Sequence, residues 1–281
     1  MERVSGTARV NGADLLYEVA GAGDPIVLVH AGVADSRMWD EQFEPLACDH
    51  LVLRYDLRGF GGSSLPGGPF SYAADLRALL DHLDIPRAAV VGASFGGQVA
   101  LEFALQRPDK VTSLVLVDSA IQGWEWSEEV ERFGAAEDDA LEAGRIEEAV
   151  ELNLEMWVEG PGREASEVDA GFRERVRTMQ RDAFVKQLHA EAQSPPPGSP
   201  DWLDPPAISR LADIRARTLV LVGDQDVADF IRISERLTAD IDTATGAVIE
   251  GAAHLPSLEK PGVFLEIVRN FLSDAKGESP E

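Results

Sequence analysis

The run Val90-Val91-Gly92-Ala93-Ser94-Phe95-Gly96-Gly97-Gln98-Val99-Ala100 follows directly on Ala88-Ala89, and its apolar start, Ala88 to Val91, reads as a buried strand. The strand meets Gly-x-Ser-x-Gly and passes at once into a helix-forming segment that ends near Arg107-Pro108. That is the pattern of a nucleophile elbow. A serine on so sharp a strand-to-helix turn holds a strained backbone, and side chains at Gly92 and Gly96 would collide with neighbouring main chain. The short motif also arises by chance, so its strand-turn-helix setting carries more weight than its five letters.

Composition sets the frame around this turn. The chain has 281 residues, 44% of them hydrophobic, enough for one large α/β domain with an inserted subdomain. Its 25 Lys and Arg face 50 Asp and Glu, a formal charge of −25 that repels phosphate backbones and anionic lipid, so nucleic acid is not an expected partner. The excess acid reads as a solvated surface. Cys48 is the sole cysteine, which rules out an internal disulfide, and Met1-Glu2-Arg3 does not open onto the apolar core of a secretory signal. A reducing cytoplasm is the expected setting. No apolar run approaches the roughly 20 residues of a membrane span, and no membrane association is expected.

Outward from the elbow, strands and helices alternate. Ala8 to Val10 and Leu15 to Val19 flank Asn11-Gly12, a strong hairpin signal. Ile26 to Val29 is a continuous apolar run suited to a strand covered on both faces, and it ends at His30-Ala31-Gly32-Val33. That loop is the expected second half of an oxyanion hole. Phe95, next after the serine, supplies one N-H donor and Gly32 the other, because a small residue lets the loop approach the elbow. His30, at a strand end, is read as orienting the loop and not as a base.

Leu51 to Tyr55 leads into Asp56-Leu57-Arg58-Gly59-Phe60-Gly61-Gly62-Ser63-Ser64. No Gly-Lys-Ser/Thr follows these glycines, so a phosphate cradle is excluded, and Asp56 is expected to pair with Arg58 and fix the loop. Ser71 caps a helix carrying Leu76, Leu79, Leu80 and Leu83. Leu114 to Val117 is a further buried strand ending at Asp118, a reserve acid at the edge where catalytic groups gather.

From about Ile121 to Pro206 the alternation stops. Helices are expected over Glu128 to Phe133, Asp138 to Trp157 and about Glu167 to Gln193, with a Pro-rich return linker from Ser194 to Pro206. The expected organisation is a core domain of residues 1–120 and 207–281 with a helical cap of residues 121–206. Trp124 and Trp157 are expected to line the substrate pocket, since a lid's inner face needs apolar surface. The sheet resumes at Thr218 to Val222, followed by Gly223-Asp224-Gln225-Asp226, and again at Ala247 to Ile249, followed by Glu250-Gly251-Ala252-Ala253-His254. A closing amphipathic helix spans Pro261 to Leu272, and the polar tail from Ser273 is expected to fray.

Serine needs an imidazole to take its proton and a carboxylate to hold that imidazole, and Ser94, Asp226 and His254 occur in that order. On these residues the chain resembles the α/β-hydrolase superfamily over nearly its whole length, and more narrowly its small esterase, enol-lactonase and cofactor-free haloperoxidase-like branch. The resemblance implies a mostly parallel eight-stranded sheet flanked by helices, with an inserted helical cap. It selects Asp226 over Asp224, because the family places the acid three residues after the glycine. The family's usual His-Gly opening is His30-Ala31 here, with Gly32 keeping the donor position. Serine in place of aspartate as nucleophile argues against dehalogenases and epoxide hydrolases.

The implied chemistry is attack by Ser94 on the carbonyl of a small, fairly apolar ester or lactone, with an acyl-enzyme that water later hydrolyses. No metal or organic cofactor is needed, and His50, His82 and His189 lack ligand-like spacing. Carbon-carbon bond hydrolysis or perhydrolysis on the same triad, and a hydrolase-like ligand receptor, use the same residues. Neither substrate size nor oligomeric state is encoded in these patterns.

Overall fold

A computed structural model of the chain describes residues 3–274. β1 (Arg3–Val10) and β2 (Ala13–Gly21) pair antiparallel with Val10 opposite Ala13. Asn11 and Gly12 both take positive φ, 46° and 82°, the mirror-image turn whose twist matches that of the strands. Next come β3 (Pro25–Val29), α1 (Asp40–Ala47), β4 (Leu51–Tyr55), β5 (Gly68–Phe70) and α2 (Tyr72–His82), whose Ser71 cap accepts from the Ala74 amide at 3.3 Å. The elbow follows as β6 (Ala88–Ala93) and α3 (Phe95–Gln106), then β7 (Val111–Val117).

Three helices lie between β7 and the next strand of the main sheet: α4 (Glu128–Glu142), α5 (Ile146–Asn153), which runs on into a π-helical turn at Leu154–Glu159, and α6 (Ala170–Glu191). β8 (Pro197–Pro200), β9 (Arg217–Gly223), α7 (Ala228–Asp240), β10 (Ala244–Ile249), α8 (Pro256–Glu259) and α9 (Pro261–Asp274) complete the described chain. Against the expectation of fraying from Ser273, Ser273 and Asp274 still belong to α9, and the rest of the polar tail lies outside the described residues. No described helix is long and apolar enough to cross a membrane.

The main sheet has eight strands in the order β1-β2-β4-β3-β6-β7-β9-β10. β1 and β2 join antiparallel, β2 meets β4 antiparallel, and every later pairing is parallel. β6 is buried along its whole length and β3 and β7 nearly so, which is why they read as unbroken apolar runs instead of alternating ones. Parallel pairing puts the C-terminal ends of β3, β6, β7, β9 and β10 on one edge. His30, Ser94, Asp118, Asp226 and His254 all follow those ends.

Three local expectations change. The helix broken in the sequence reading at residues 134–137 is continuous through Gly134, and the break falls at Gly144, with φ +71°. There the Gly144 and Arg145 amides close back on the Leu141 and Ala140 carbonyls, a left-handed helix end that glycine makes cheap. The return linker is partly sheet: β8 pairs with β5 in a separate two-stranded sheet. Asp56 and Arg58 do not pair. Arg58 forms a buried two-point ion pair with Asp75 on α2 at 2.8 and 2.9 Å, while Asp56 accepts the amides of Ser36 at 2.9 Å and Gly62 at 2.7 Å. Residues two apart in a loop point different ways, and each found a partner across the fold.

Candidate active site

Ser94 sits between β6 and α3 with φ 51° and ψ −116°, a conformation that costs a non-glycine residue about 1–3 kcal/mol. Hydrogen bonds hold it: its N-H donates to the Val117 carbonyl at 2.8 Å, and its carbonyl accepts from Gly97, Gln98 and Ala120. The two flanking glycines are required by close approach. A Cβ on Gly92 would lie 2.3 Å from the Gly96 carbonyl oxygen, and one on Gly96 would lie 2.4 Å from the oxygens of Val29 and His30.

The serine hydroxyl reaches His254 Nε2 at 2.7 Å, and His254 Nδ1 reaches Asp226 Oδ2 at 2.8 Å. Nδ1-H therefore donates to the carboxylate, leaving Nε2 with a lone pair for the serine proton. Asp226 is further anchored through Oδ1 by the Val227 amide at 2.7 Å. Imidazole and carboxylate are both buried, while the serine remains half-accessible. Asp224 is used elsewhere: its Oδ1 accepts the Gly251 amide at 2.6 Å and ties the loop after β9 to the loop after β10. Asp118 accepts the Gly223 amide at 2.9 Å and does not touch the imidazole through any hydrogen bond among the described residues.

Gly32 backs onto the elbow, where a Cβ on it would meet the Phe95 Cβ at 3.4 Å. Phe95 is the first residue of α3, so its N-H belongs to the helix-start donors that have no intrahelical acceptor. The loop carrying Gly32 is set by His30, which is fully buried. Its Nδ1-H donates to the Ala31 carbonyl at 2.8 Å and its Nε2 accepts the Leu57 amide at 2.9 Å. Burial holds the imidazole neutral, pulling its pKa below the usual histidine value.

Aromatic rings enclose the imidazole. Trp157, from the π-helical turn, lies 4.7 Å from the His254 ring centroid, and Phe230 on α7 lies 4.2 Å away. Phe133 on α4 packs edge-on against Trp157 at 5.1 Å. The other expected pocket residue, Trp124, points its indole N-H at Asp229 Oδ1, 3.1 Å away. Phe230 and Trp202 escaped the sequence reading. Trp202, in the return segment, stacks edge-on against Phe95 at 5.9 Å. Nothing in a lone apolar position of an amphipathic helix marks Phe230. A tryptophan amid prolines was a signal for Trp202.

Residues 24–261 match the model of the family described as alpha/beta hydrolase fold. Among curated relatives the chain is 29% identical, over 93% of its own length and 96% of the relative's, to a putative carbamate hydrolase of Azorhizobium caulinodans. It is 28% identical, over 92% of both chains, to the 2-hydroxy-6-oxo-2,4-heptadienoate hydrolase of Pseudomonas putida. Among solved structures it resembles the enol-lactonase of Burkholderia xenovorans, with a TM-score of 0.71 and 25% identity over 95% of this chain and all of the other.

Proposed function

Because this chain belongs to the α/β-hydrolase family, we propose that it is a serine hydrolase cleaving an ester or lactone of a small, fairly apolar molecule through an acyl-enzyme. The observation that carries the reading is the unbroken relay from Ser94 Oγ through His254 to Asp226, with contacts of 2.7 and 2.8 Å. In this reading Ser94 attacks the carbonyl while His254 Nε2 takes its proton, and Asp226 holds the imidazole in the required tautomer. The Gly32 and Phe95 N-H groups receive the oxyanion. The imidazolium then protonates the leaving alkoxide, and a water activated by the same imidazole releases the acid. Residues 121–206 act as the cap, and Trp157 with Phe230 forms the apolar wall at the base. Likeness to the enol-lactonase supports the lactone substrate class.

Hydrolysis of a carbon-carbon bond is the second reading. Similarity to the heptadienoate hydrolase along nearly the full chain supports it.

The test is p-nitrophenyl ester hydrolysis across acyl lengths by wild type and Ser94→Ala, with mass detection of an acyl adduct. A serine-dependent rate, an adduct and a preferred acyl length are expected, with the Ala variant down at least about 1,000-fold. Turnover of a 2-hydroxy-6-oxo-dienoate without turnover of any ester or lactone would move the assignment to carbon-carbon cleavage.

A further inference from the structure

Beside the relay lies a third acid that the mechanism above leaves unused. Asp118 follows β7, is fully buried, and takes a positive φ of 42°. Its Oδ1 accepts the Gly223 amide at 2.9 Å, at the end of β9. Its Oδ2 is equally buried, and no N-H or hydroxyl of the described residues donates to it. One oxygen of Asp118, one of Asp226 and a ring nitrogen of His254 lie within 4.8 Å of one another. Two carboxyl groups thus share a dry site with a single imidazole.

We propose that Asp118 is a positioning residue, a neutral carboxylic acid whose Oδ2-H donates to the Asp226 carboxylate and so limits the negative charge that Asp226 presents to His254. The chemistry of the cluster requires a proton there. Ionising both acids would place two negative charges side by side away from water, with no permanent cation among their hydrogen-bond partners. Asp226 already accepts the Val227 amide on Oδ1 and the His254 N-H on Oδ2. Asp118 has only one amide to stabilise an anion, and burial together with the neighbouring Asp226 charge pushes its carboxyl well above the usual aspartate range. Among the described residues the turn after β9 presents Asp226 and the turn after β10 presents His254, and its own chain continues into Ser119, whose hydroxyl donates to the Ala120 carbonyl.

The role in the reaction rests on the serine-hydrolase reading, but the protonation state does not, so the test reads both. The His254 ring is titrated by NMR in wild type, Asp118→Asn and Asp118→Leu, alongside the acidic limb of kcat/KM on an ester. If Asp118 is neutral, Asn removes no charge and keeps an N-H donor, so the midpoint stays within about 0.3 pH unit of wild type. Leu removes the donor, leaves Asp226 its full charge, favours the imidazolium and raises the midpoint by about half a unit or more. A downward shift of about one unit in the Asn variant would mean that a real negative charge had been removed, and would overturn the proposal. An unshifted midpoint in the Leu variant would overturn it equally.

Stability supplies a second readout that needs neither turnover nor the Leu variant. A carboxyl that keeps its proton in the native state but loses it on unfolding makes the unfolded chain bind fewer protons above pH about 4, so its contribution to stability falls as pH rises. Asp118→Asn should therefore gain stability relative to wild type between pH about 5 and about 8 in urea unfolding. A gap that does not change with pH would overturn the proposal. The expected titrations without any ester or lactone turnover would leave Asp118 neutral and count against the ester-hydrolase reading instead.

Discussion

At the residue scale, two acids two positions apart separate cleanly by what they touch. Asp226 holds the imidazole, and Asp224 holds a backbone amide on the loop before it. Asp226→Asn should lower kcat by about 1,000- to 10,000-fold, since the amide favours the wrong imidazole tautomer. Asp224→Asn should cost less than about tenfold, because an amide oxygen still accepts from Gly251; steady-state kinetics on one ester compares the two. His30 yields a pH prediction. Its native pKa lies below the usual value, so the unfolded chain takes up a proton that the native chain does not once pH drops below about 6.5. Stability from this group is therefore present above that pH and lost on acidification. His30→Gln should flatten the fall in urea midpoint between pH about 7 and about 5, measured against wild type. The strained turn at Ser94 and the histidine that reaches it were legible in the sequence because a glycine-flanked serine between strand and helix is a local pattern. Phe230, a ring beside His254, was not, because any large apolar side chain suits its helix position.

At the scale of elements, local signals did well wherever a turn or cap was self-contained. Asn11-Gly12 made the hairpin, Ser71 capped α2, and β4 spans Leu51–Tyr55 as read. α4 shows the limit. Gly134 and Gly144 carry the same intrinsic cost, and only the hydrogen bonds closing the helix at Gly144 distinguish them. Gly134 is a helical glycine where a Cβ would meet nothing within 4 Å. Gly134→Ala should stabilise the protein by about 0.5–1 kcal/mol in urea unfolding, because alanine lowers the entropy lost when α4 forms. Gly144→Ala at φ +71° should destabilise it by about 1 kcal/mol. The pairing of β8 with β5 joins segments far apart in the chain, and no local pattern announces it.

At the scale of the molecule, the helices between β7 and β9 are fastened to the elements that carry the relay. Arg163, just after the π-helical turn, bonds Glu259 at 2.6 Å, and Glu259 in turn accepts the Ala253 amide next to His254 at 2.9 Å. Trp157 completes the connection by lying against the imidazole itself. Trp157→Ala should lower kcat/KM by about 10- to 100-fold, with the loss shared between kcat and KM, since it removes the ring packed against the His254 imidazole. A change in KM alone would mean that the tryptophan serves only the substrate. By itself the sequence determined the alternation of strands and helices, the strained serine turn and the order of serine, acid and histidine, because each depends on backbone geometry or on chemistry that few residue types provide. The tertiary structure alone decided which buried acids face each other, which rings close on the imidazole and which segments pair across the fold. Those choices are made by packing between residues distant in the chain, where many side chains would satisfy the local pattern and only one neighbour is actually there.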